Sequence, residues 1–231
     1  NYKKAIQINP NNEKPYNNLG NLLNNLGNFD EATNAYKKAI KIKPDYAEAF
    51  NSLGETNQIL LNKKEALANF QEAIKIKPNY AEAYNNLGLL LDDLIRFDES
   101  LSSYNKAIKL KPNYEKPYNN LGNLLSDLGK YDEANDLYLK AIKIKPDYAK
   151  AYSNLLFNYN YMINYDPNFY LSYAKKYGAN CKLIKGNLSF KYQYEKNPKK
   201  LKIGFISADF GNHPGGYFTL STLRELKKKK F

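Results

Sequence analysis

Prolines recur along the chain at a fixed interval of 34 residues, at Pro10, Pro44, Pro78, Pro112 and Pro146. A period of this size is typical of a helical solenoid, in which each unit buries its apolar surface against the next. Because proline cannot continue a helix, each of these prolines predicts the end of one. The spacing therefore favours a stack of repeated helical units over most of the chain.

Other positions recur in phase with the prolines and predict two antiparallel helices per unit. The first helix carries an aromatic residue, a leucine and a glycine: Tyr16, Phe50, Tyr84, Tyr118; Leu19, Leu53, Leu87, Leu121; Gly20, Gly54, Gly88, Gly122. The second carries a small residue, an aromatic residue and an alanine: Ala32, Ala66, Ser100, Ala134; Tyr36, Phe70, Tyr104, Tyr138; Ala39, Ala73, Ala107, Ala141. A glycine within a helix is costly, so we expect each one to face the small residue of the partner helix and let the backbones approach.

The turns between paired helices carry their own signals. Gly27 and Gly129 predict the ends of first helices, because glycine adopts the left-handed conformation that ends a helix. Asp30, Asp98 and Asp132 are predicted to cap the second helices. Unit two departs from its siblings at Leu61, Lys63 and Lys64, so we expect its turn to be less well capped.

In these positions the chain resembles the tetratricopeptide repeat. The resemblance covers residues 1 to 162, as a trailing half-unit, four full units and a final first helix at Ala149–Met162. It implies an all-α solenoid that presents a concave surface to a protein or peptide.

Asparagines precede the leucine of most first helices, at Asn18, Asn86, Asn120 and Asn154, whereas Ser52 takes this place in unit two. A residue one step before an inward leucine lies about 100° around the helix, towards the inner face of the curve. A row of side-chain amides there could hydrogen-bond a peptide backbone irrespective of its sequence. Since the chain is rich in asparagine generally, compositional drift is the alternative explanation.

The period fails after Met162. Residues 163–198 are predicted to connect the array to residues 199–231, through a helix that starts after Pro167 and an extended stretch. Phe169, Tyr173 and Tyr177 form one stripe of that helix, which we expect to pack against the last repeat.

Residues 199–231 predict the truncated start of an α/β domain: an apolar strand at 201–207, a glycine-containing loop and a helix. The loop carries Asp209, Phe210, His213, Pro214 and Tyr217. An array of repeats followed by this motif resembles the SPINDLY and O-linked N-acetylglucosaminyltransferase family, whose catalytic region has a GT-B-like fold. That resemblance covers only about thirty residues of the catalytic region.

The resemblance implies transfer of N-acetylglucosamine, or fucose as in the plant relatives, from a nucleotide to serine or threonine hydroxyls of proteins. The expected donor is UDP-N-acetylglucosamine, with no metal and no other cofactor. His213 would be the base or a sugar-positioning group, and Tyr217 would contact substrate. Gly215 and Gly216 could leave backbone amides free for phosphate, although simple turn chemistry is the explanation that the residues favour. Because the second lobe of that fold is missing, we expect this fragment to be inactive.

The composition of the chain bears on its cellular compartment and on its binding partners. The single Cys181 cannot form an internal disulfide, and no apolar run reaches membrane-spanning length, so we expect a cytoplasmic protein without a membrane partner. The net charge of +12 suggests nucleic acid as a possible partner. Many of the lysines, however, come just before the periodic prolines, where a positive charge stabilises the negative end of a helix dipole.

Two functions from different classes therefore remain open, with a nucleic-acid adaptor ranked last. The first is part of a protein O-glycosyltransferase whose repeats recruit protein substrates. The alternative is a non-catalytic scaffold for protein–protein interaction.

Overall fold

The computed structural model describes residues 2–162 and 166–185, which fold as α-helices joined by short turns. The helices of this part of the chain are α1 (Tyr2–Ile8), α2 (Glu13–Asn25), α3 (Phe29–Ile42), α4 (Ala47–Ile59), α5 (Lys63–Ile76), α6 (Ala81–Asp93), α7 (Phe97–Leu110), α8 (Glu115–Asp127), α9 (Tyr131–Ile144), α10 (Ala149–Tyr159) and α11 (Pro167–Lys185). The strand, loop and helix predicted within 199–231 lie outside the described residues.

The helices pair as the repeat predicts. The even-numbered helices α2 to α8 are the first helices of four units, and the odd-numbered helices α3 to α9 are the second helices. Each second helix ends two residues before a periodic proline: α3 ends at Ile42 and α9 at Ile144, before Pro44 and Pro146. The prediction that these prolines end the helices is confirmed.

The turns within the units confirm the glycine prediction but not the aspartate one. Gly27 and Gly129 have φ angles of 78° and 75°, the left-handed region that glycine enters at no steric cost. Leu61 and Ile95 adopt φ angles of 61° and 60° at the same place in units two and three. The expectation of a less well capped turn in unit two therefore holds in the turn that follows α4, and unit three shares this feature. It does not hold at the start of the second helix, because none of α3, α5, α7 and α9 has a side-chain cap.

The prediction that aspartates cap the second helices is wrong. Asp30, Asp98 and Asp132 are the second residues of α3, α7 and α9. Their negative charge there interacts favourably with the positive end of the helix dipole. The cap positions belong to Asn28, Arg96 and Lys130, and their side chains make no cap hydrogen bond. The start of each second helix lies two residues earlier than predicted. The sequence did not distinguish the two positions, because both carry polar or charged residues.

The glycine of each first helix makes room for an aromatic ring. A Cβ atom built on Gly20, Gly54, Gly88 or Gly122 would come within 2.5–2.6 Å of the Cε1 atom of Tyr36, Phe70, Tyr104 or Tyr138. The expectation that the glycine faces the small residue was thus incomplete, because the nearest side chain is the ring. The small residue lies close too, since Ser100 Oγ donates to the Gly88 carbonyl oxygen at 2.9 Å.

First helices of consecutive units contact one another, from α2 through α10. Among the described helices, the second helices of consecutive units make no such contacts. The array therefore curves with its first helices on the inside, and the face that they expose is called the inner face below.

Lysines at the ends of second helices pair with a glutamate on the first helix of their own unit and lie over a tyrosine at the start of the next unit. Lys77 Nζ lies 2.9 Å from Glu48 and 4.6 Å from the ring centre of Tyr80. Lys111 repeats the arrangement with Glu82 and Tyr114, as Lys145 does with Glu115 and Tyr148. These three lysines therefore have acidic and aromatic partners within the array.

The array ends in helices α10 and α11. Helix α10 ends at Tyr159, three residues before the predicted Met162. Helix α11 begins at Pro167, one residue before the predicted start, and the Asp166 carboxylate accepts a hydrogen bond from the backbone N–H of Asn168 at 2.9 Å. Its Phe169, Tyr173 and Tyr177 pack against the core that includes Tyr138, Tyr152 and Leu155, which confirms the predicted stripe.

The hydroxyls of the buried tyrosines differ in their partners. Tyr36 and Tyr138 donate to Asn21 and Asn123 Oδ1, each at 2.9 Å. In unit three the corresponding residue is Leu89, and the Tyr104 hydroxyl is buried without a partner. Unit two has Phe70 instead, which shows that a ring without a hydroxyl fits this site.

We expect Gly122→Ala to lower the free energy of unfolding by about 1–3 kcal/mol, because the new methyl group overlaps the buried Tyr138 ring. Gly178→Ala in α11 is the matched control, since no atom lies within 4 Å of a Cβ there. It should raise stability by up to about 1 kcal/mol through helix propensity. Chemical denaturation followed by circular dichroism measures both; equal effects would contradict the packing account.

Tyr104→Phe should raise the free energy of unfolding by about 1–3 kcal/mol, because it removes a buried hydroxyl that has no partner. Tyr138→Phe should lower it by about 0.5–1.5 kcal/mol, because it breaks the bond to Asn123. The same denaturation experiment compares them, and two changes of the same sign would show that the hydroxyls are not distinguished as described.

Candidate peptide-binding surface

The inner face carries two neighbouring rows of asparagines. The predicted row consists of Asn18, Asn86, Asn120 and Asn154, and the residues just before it form a second row, Asn17, Asn51, Asn85 and Asn119. The second row is buried, whereas Asn86, Asn120 and Asn154 are partly exposed. Sequence reasoning missed the second row, although the paired asparagines of units one, three and four recur in phase and were the available signal.

Hydrogen bonds join the two rows from one unit to the next. Asn86 Nδ2 donates to Asn51 Oδ1 at 3.1 Å. Asn120 Nδ2 donates to Asn85 Oδ1 at 2.9 Å, and Asn154 Nδ2 donates to Asn119 Oδ1 at 3.0 Å. Every one of these bonds crosses between first helices of consecutive units, so the amides help to fix the spacing of the inner face.

Bonds within units complete a continuous chain of amides. Asn119 Nδ2 donates to Asn120 Oδ1 at 3.4 Å, and Asn85 Nδ2 donates to Asn86 Oδ1 at 3.2 Å. At the far end, Asn51 Nδ2 donates to Glu55 Oε1 at 3.2 Å. All six bonds point the same way, from Asn154 towards Glu55. We call this arrangement the amide chain.

Asn18 stands apart from the amide chain. It is exposed on α2, and Ser52 replaces asparagine at the matching place in α4. The structure therefore brings together Asn86, Asn120 and Asn154 of the predicted row but does not connect Asn18 to them.

Glu55 is the residue at the inner face that sequence reasoning missed most clearly. Its carboxylate accepts hydrogen bonds from the side-chain amides of Asn51 and Asn86. Burial raises the pKa of Glu55, while the two amide N–H groups and the positive charge of Lys116 act in the opposite direction. Asparagine, leucine and phenylalanine occupy the matching places in the other units, so the charge is peculiar to unit two.

A shallow depression with a volume of about 240 Å³ lies on the inner face between unit four and α10. Its lining includes the amides of Asn123 and Asn154, the carboxylate of Asp127 and the ring of Phe157. Phe157 is 62% exposed and makes an edge-to-face contact with Tyr161, at 5.4 Å between ring centres. This part of the face offers hydrogen-bonding groups beside apolar surface.

The predicted catalytic and nucleotide-binding residues, His213, Gly215, Gly216 and Tyr217, lie outside the described residues. Residues 2–162 and 166–185 contain no group of acidic, histidine and cysteine side chains arranged to hold a metal ion. Over the same residues, no helix is long and apolar enough to cross a bilayer.

Comparison with protein families matches the array directly. The family described as TPR repeat matches residues 20–58, 63–93, 96–129 and 122–155, and a second family, described as tetratricopeptide repeat, matches residues 1–33. No curated protein sequence matches the chain significantly. The family matches end at residue 155, so the relationship of residues 199–231 to glycosyltransferases stays a prediction.

Solved structures share the fold. The crystal structure of MamA is 27% identical with a TM-score of 0.60, over 77% of this chain and 97% of that chain. YrrB, described as a TPR protein with an unusual peptide-binding site, is 25% identical with a TM-score of 0.55, over 78% and 91% of the two chains. PilF of Pseudomonas aeruginosa shares the fold alone, at 19% identity and a TM-score of 0.59, over 75% and 91%.

The matched residues make up more than half of the chain and follow the same helical pairs that the structure shows. The chain belongs to the tetratricopeptide repeat family.

Proposed function

We propose that the array is a scaffold that binds an extended peptide segment of a partner protein along its inner face. The observation that carries the proposal is the row formed by Asn86, Asn120 and Asn154, which lies partly exposed on three consecutive first helices. Side-chain amides can both donate to and accept from a peptide backbone. Because these amides recur once per repeat, they match a ligand whose own hydrogen-bonding groups recur regularly, as those of an extended peptide backbone do.

Two further observations support this proposal. YrrB, a structure with the same fold, is described as having a peptide-binding site. The depression beside Asn154 adds the exposed ring of Phe157, which could hold an apolar side chain of the same peptide.

The amide chain also gives the asparagines a structural role, since their bonds cross between units. This explains their recurrence better than compositional drift, but it does not by itself require a ligand. A test of the function must therefore separate peptide affinity from stability.

We expect the triple variant Asn86→Ala, Asn120→Ala, Asn154→Ala to bind peptide at least about tenfold more weakly, because it removes several backbone hydrogen bonds worth about 0.5–1.5 kcal/mol each. The probe is a peptide selected by the wild-type chain from a random library of extended sequences, and isothermal titration calorimetry measures the dissociation constant. Thermal denaturation verifies that the variant is folded at the temperature of the titration.

The matched control replaces Asn34, Asn69 and Asn105 by alanine. These three asparagines lie on the second helices α3, α5 and α7, away from the inner face. The control should retain wild-type affinity. Equal affinity of the inner-face variant and the wild type would contradict the proposed function.

A second candidate function rests on the sequence motif alone. Asp209, Phe210, His213, Pro214 and Tyr217 resemble the start of a protein O-glycosyltransferase catalytic region. In that function the array would recruit protein substrates, and UDP-N-acetylglucosamine would be the donor. The scaffold proposal has the wider support, because the family matches and the related structures concern the array.

If the full-length protein transfers sugar, His213→Ala should abolish incorporation of N-acetylglucosamine from labelled UDP-N-acetylglucosamine into a protein or peptide that the array binds, because the imidazole would no longer accept or share a proton. Peptide binding by the array should be unchanged in the same variant. Undiminished transfer would remove the role assigned to His213, and absence of transfer by the wild-type protein would leave the scaffold as the function.

A further inference from the structure

The hydrogen-bonding capacity of Asn86 is nearly filled within the protein. A side-chain amide has two N–H donors and two acceptor positions on its oxygen. Both N–H groups of Asn86 have partners, namely Asn51 Oδ1 at 3.1 Å and the carboxylate of Glu55. Its oxygen accepts one bond, from Asn85 Nδ2 at 3.2 Å, and so retains one acceptor position.

The side-chain N–H groups of Asn154 are also used within the protein. Its Nδ2 donates to Asn119 Oδ1 at 3.0 Å and to Asn123 Oδ1 at 2.8 Å. The orientation of Asn123 is set in turn, because its oxygen also receives the hydroxyl of Tyr138. Asn154 lines the depression on the inner face. Its hydrogen bonds within the described residues are both made by Nδ2, so its oxygen keeps its acceptor positions.

Glu55 sets the direction of the amide chain. An ionised carboxylate only accepts hydrogen bonds, so Asn51 must turn its Nδ2 towards Glu55 and its oxygen towards Asn86. Each following amide is then oriented by the one before it, as far as Asn154. Reversal of the chain would place an amide oxygen against the carboxylate, which is unfavourable in a partly buried site.

We propose that the amide chain, fixed at one end by Glu55, commits Asn86 and Asn154 to accept hydrogen bonds from backbone N–H groups of the bound peptide. Their donors are already used, so a peptide carbonyl oxygen finds no partner at these two residues. Asn120 differs, because it keeps one N–H group as well as one acceptor position. The inference rests on the proposed function and specifies which backbone groups of the peptide form hydrogen bonds with these asparagines.

A paired backbone scan of the library-selected peptide tests this inference. Replacing one amide by an ester removes an N–H group and weakens the carbonyl acceptor, whereas a thioamide weakens the acceptor but keeps the N–H. We expect at least two bonds at which the ester raises the dissociation constant about tenfold while the thioamide changes it less than about twofold. If ester and thioamide lose affinity together at every sensitive bond, the carbonyl groups are the ones recognised and the inference is overturned.

Glu55→Leu tests the part played by the carboxylate. Leucine occupies the same place in unit three, as Leu89, so the change suits the helix. It removes the carboxylate that orients Asn51 and Asn86, so the ester penalty should fall at the bond recognised by Asn86. The penalty should persist at the bond recognised by Asn154, because Asn123 also fixes the orientation of Asn154. Glu65→Leu on α5 is the control with the same change of charge, and it should preserve both penalties.

The outcomes distinguish this inference from the proposed function. Peptide binding with equal ester and thioamide effects contradicts only the inference. Failure of the wild-type chain to select any peptide contradicts the proposed function and the inference with it. An unchanged ester profile in Glu55→Leu would remove Glu55 from the account.

Discussion

The contact between a glycine of each first helix and an aromatic ring of its partner sets the geometry on which the array depends. Gly88 and Gly122 lie against the rings of Tyr104 and Tyr138, at distances that leave no space for a Cβ atom. The two helices of a unit can therefore approach closely only because the first lacks a side chain at that point. Repeated in four units, this contact gives every helix pair the same close packing.

The asparagines use the frame that this packing provides. A polar group that is buried between helices is costly unless it is hydrogen-bonded. Asn51, Asn85 and Asn119 of the second row meet that requirement through the first row, whereas the buried Oδ1 of Asn17 has no partner. The result is an amide chain that links the units and also lines the surface on which a ligand would lie. Structure and binding thus draw on the same side chains, and a variant at this face has to be judged by affinity and stability together.

Much of the fold follows from the sequence because each signal acts locally. The periodic prolines end helices wherever they occur, and Gly27 and Gly129 adopt the conformation that only glycine enters without cost. The start of the second helices was misplaced, because aspartate favours both the cap and the first turn. The stripe at Phe169 and Tyr173 was predictable since its period is that of a helix.

The site was less predictable, because it depends on contacts between units. The sequence places Asn86, Asn120 and Asn154 on the inner face, but not the direction in which their amides point. That direction depends on Glu55, whose effect reaches residues far along the chain through a series of bonds. Glu55 differs from the residues at the matching positions, and such a departure from a repeat is the signal by which it could have been found.

The central claim is that the inner face binds peptide through the partly exposed asparagines. The most direct measurement is nuclear magnetic resonance of the side-chain amide groups during titration with the selected peptide. The account predicts that the resonances of Asn86, Asn120 and Asn154 shift together and saturate with the dissociation constant of the complex. Shifts confined to asparagines of the second helices, such as Asn34 and Asn105, would contradict it.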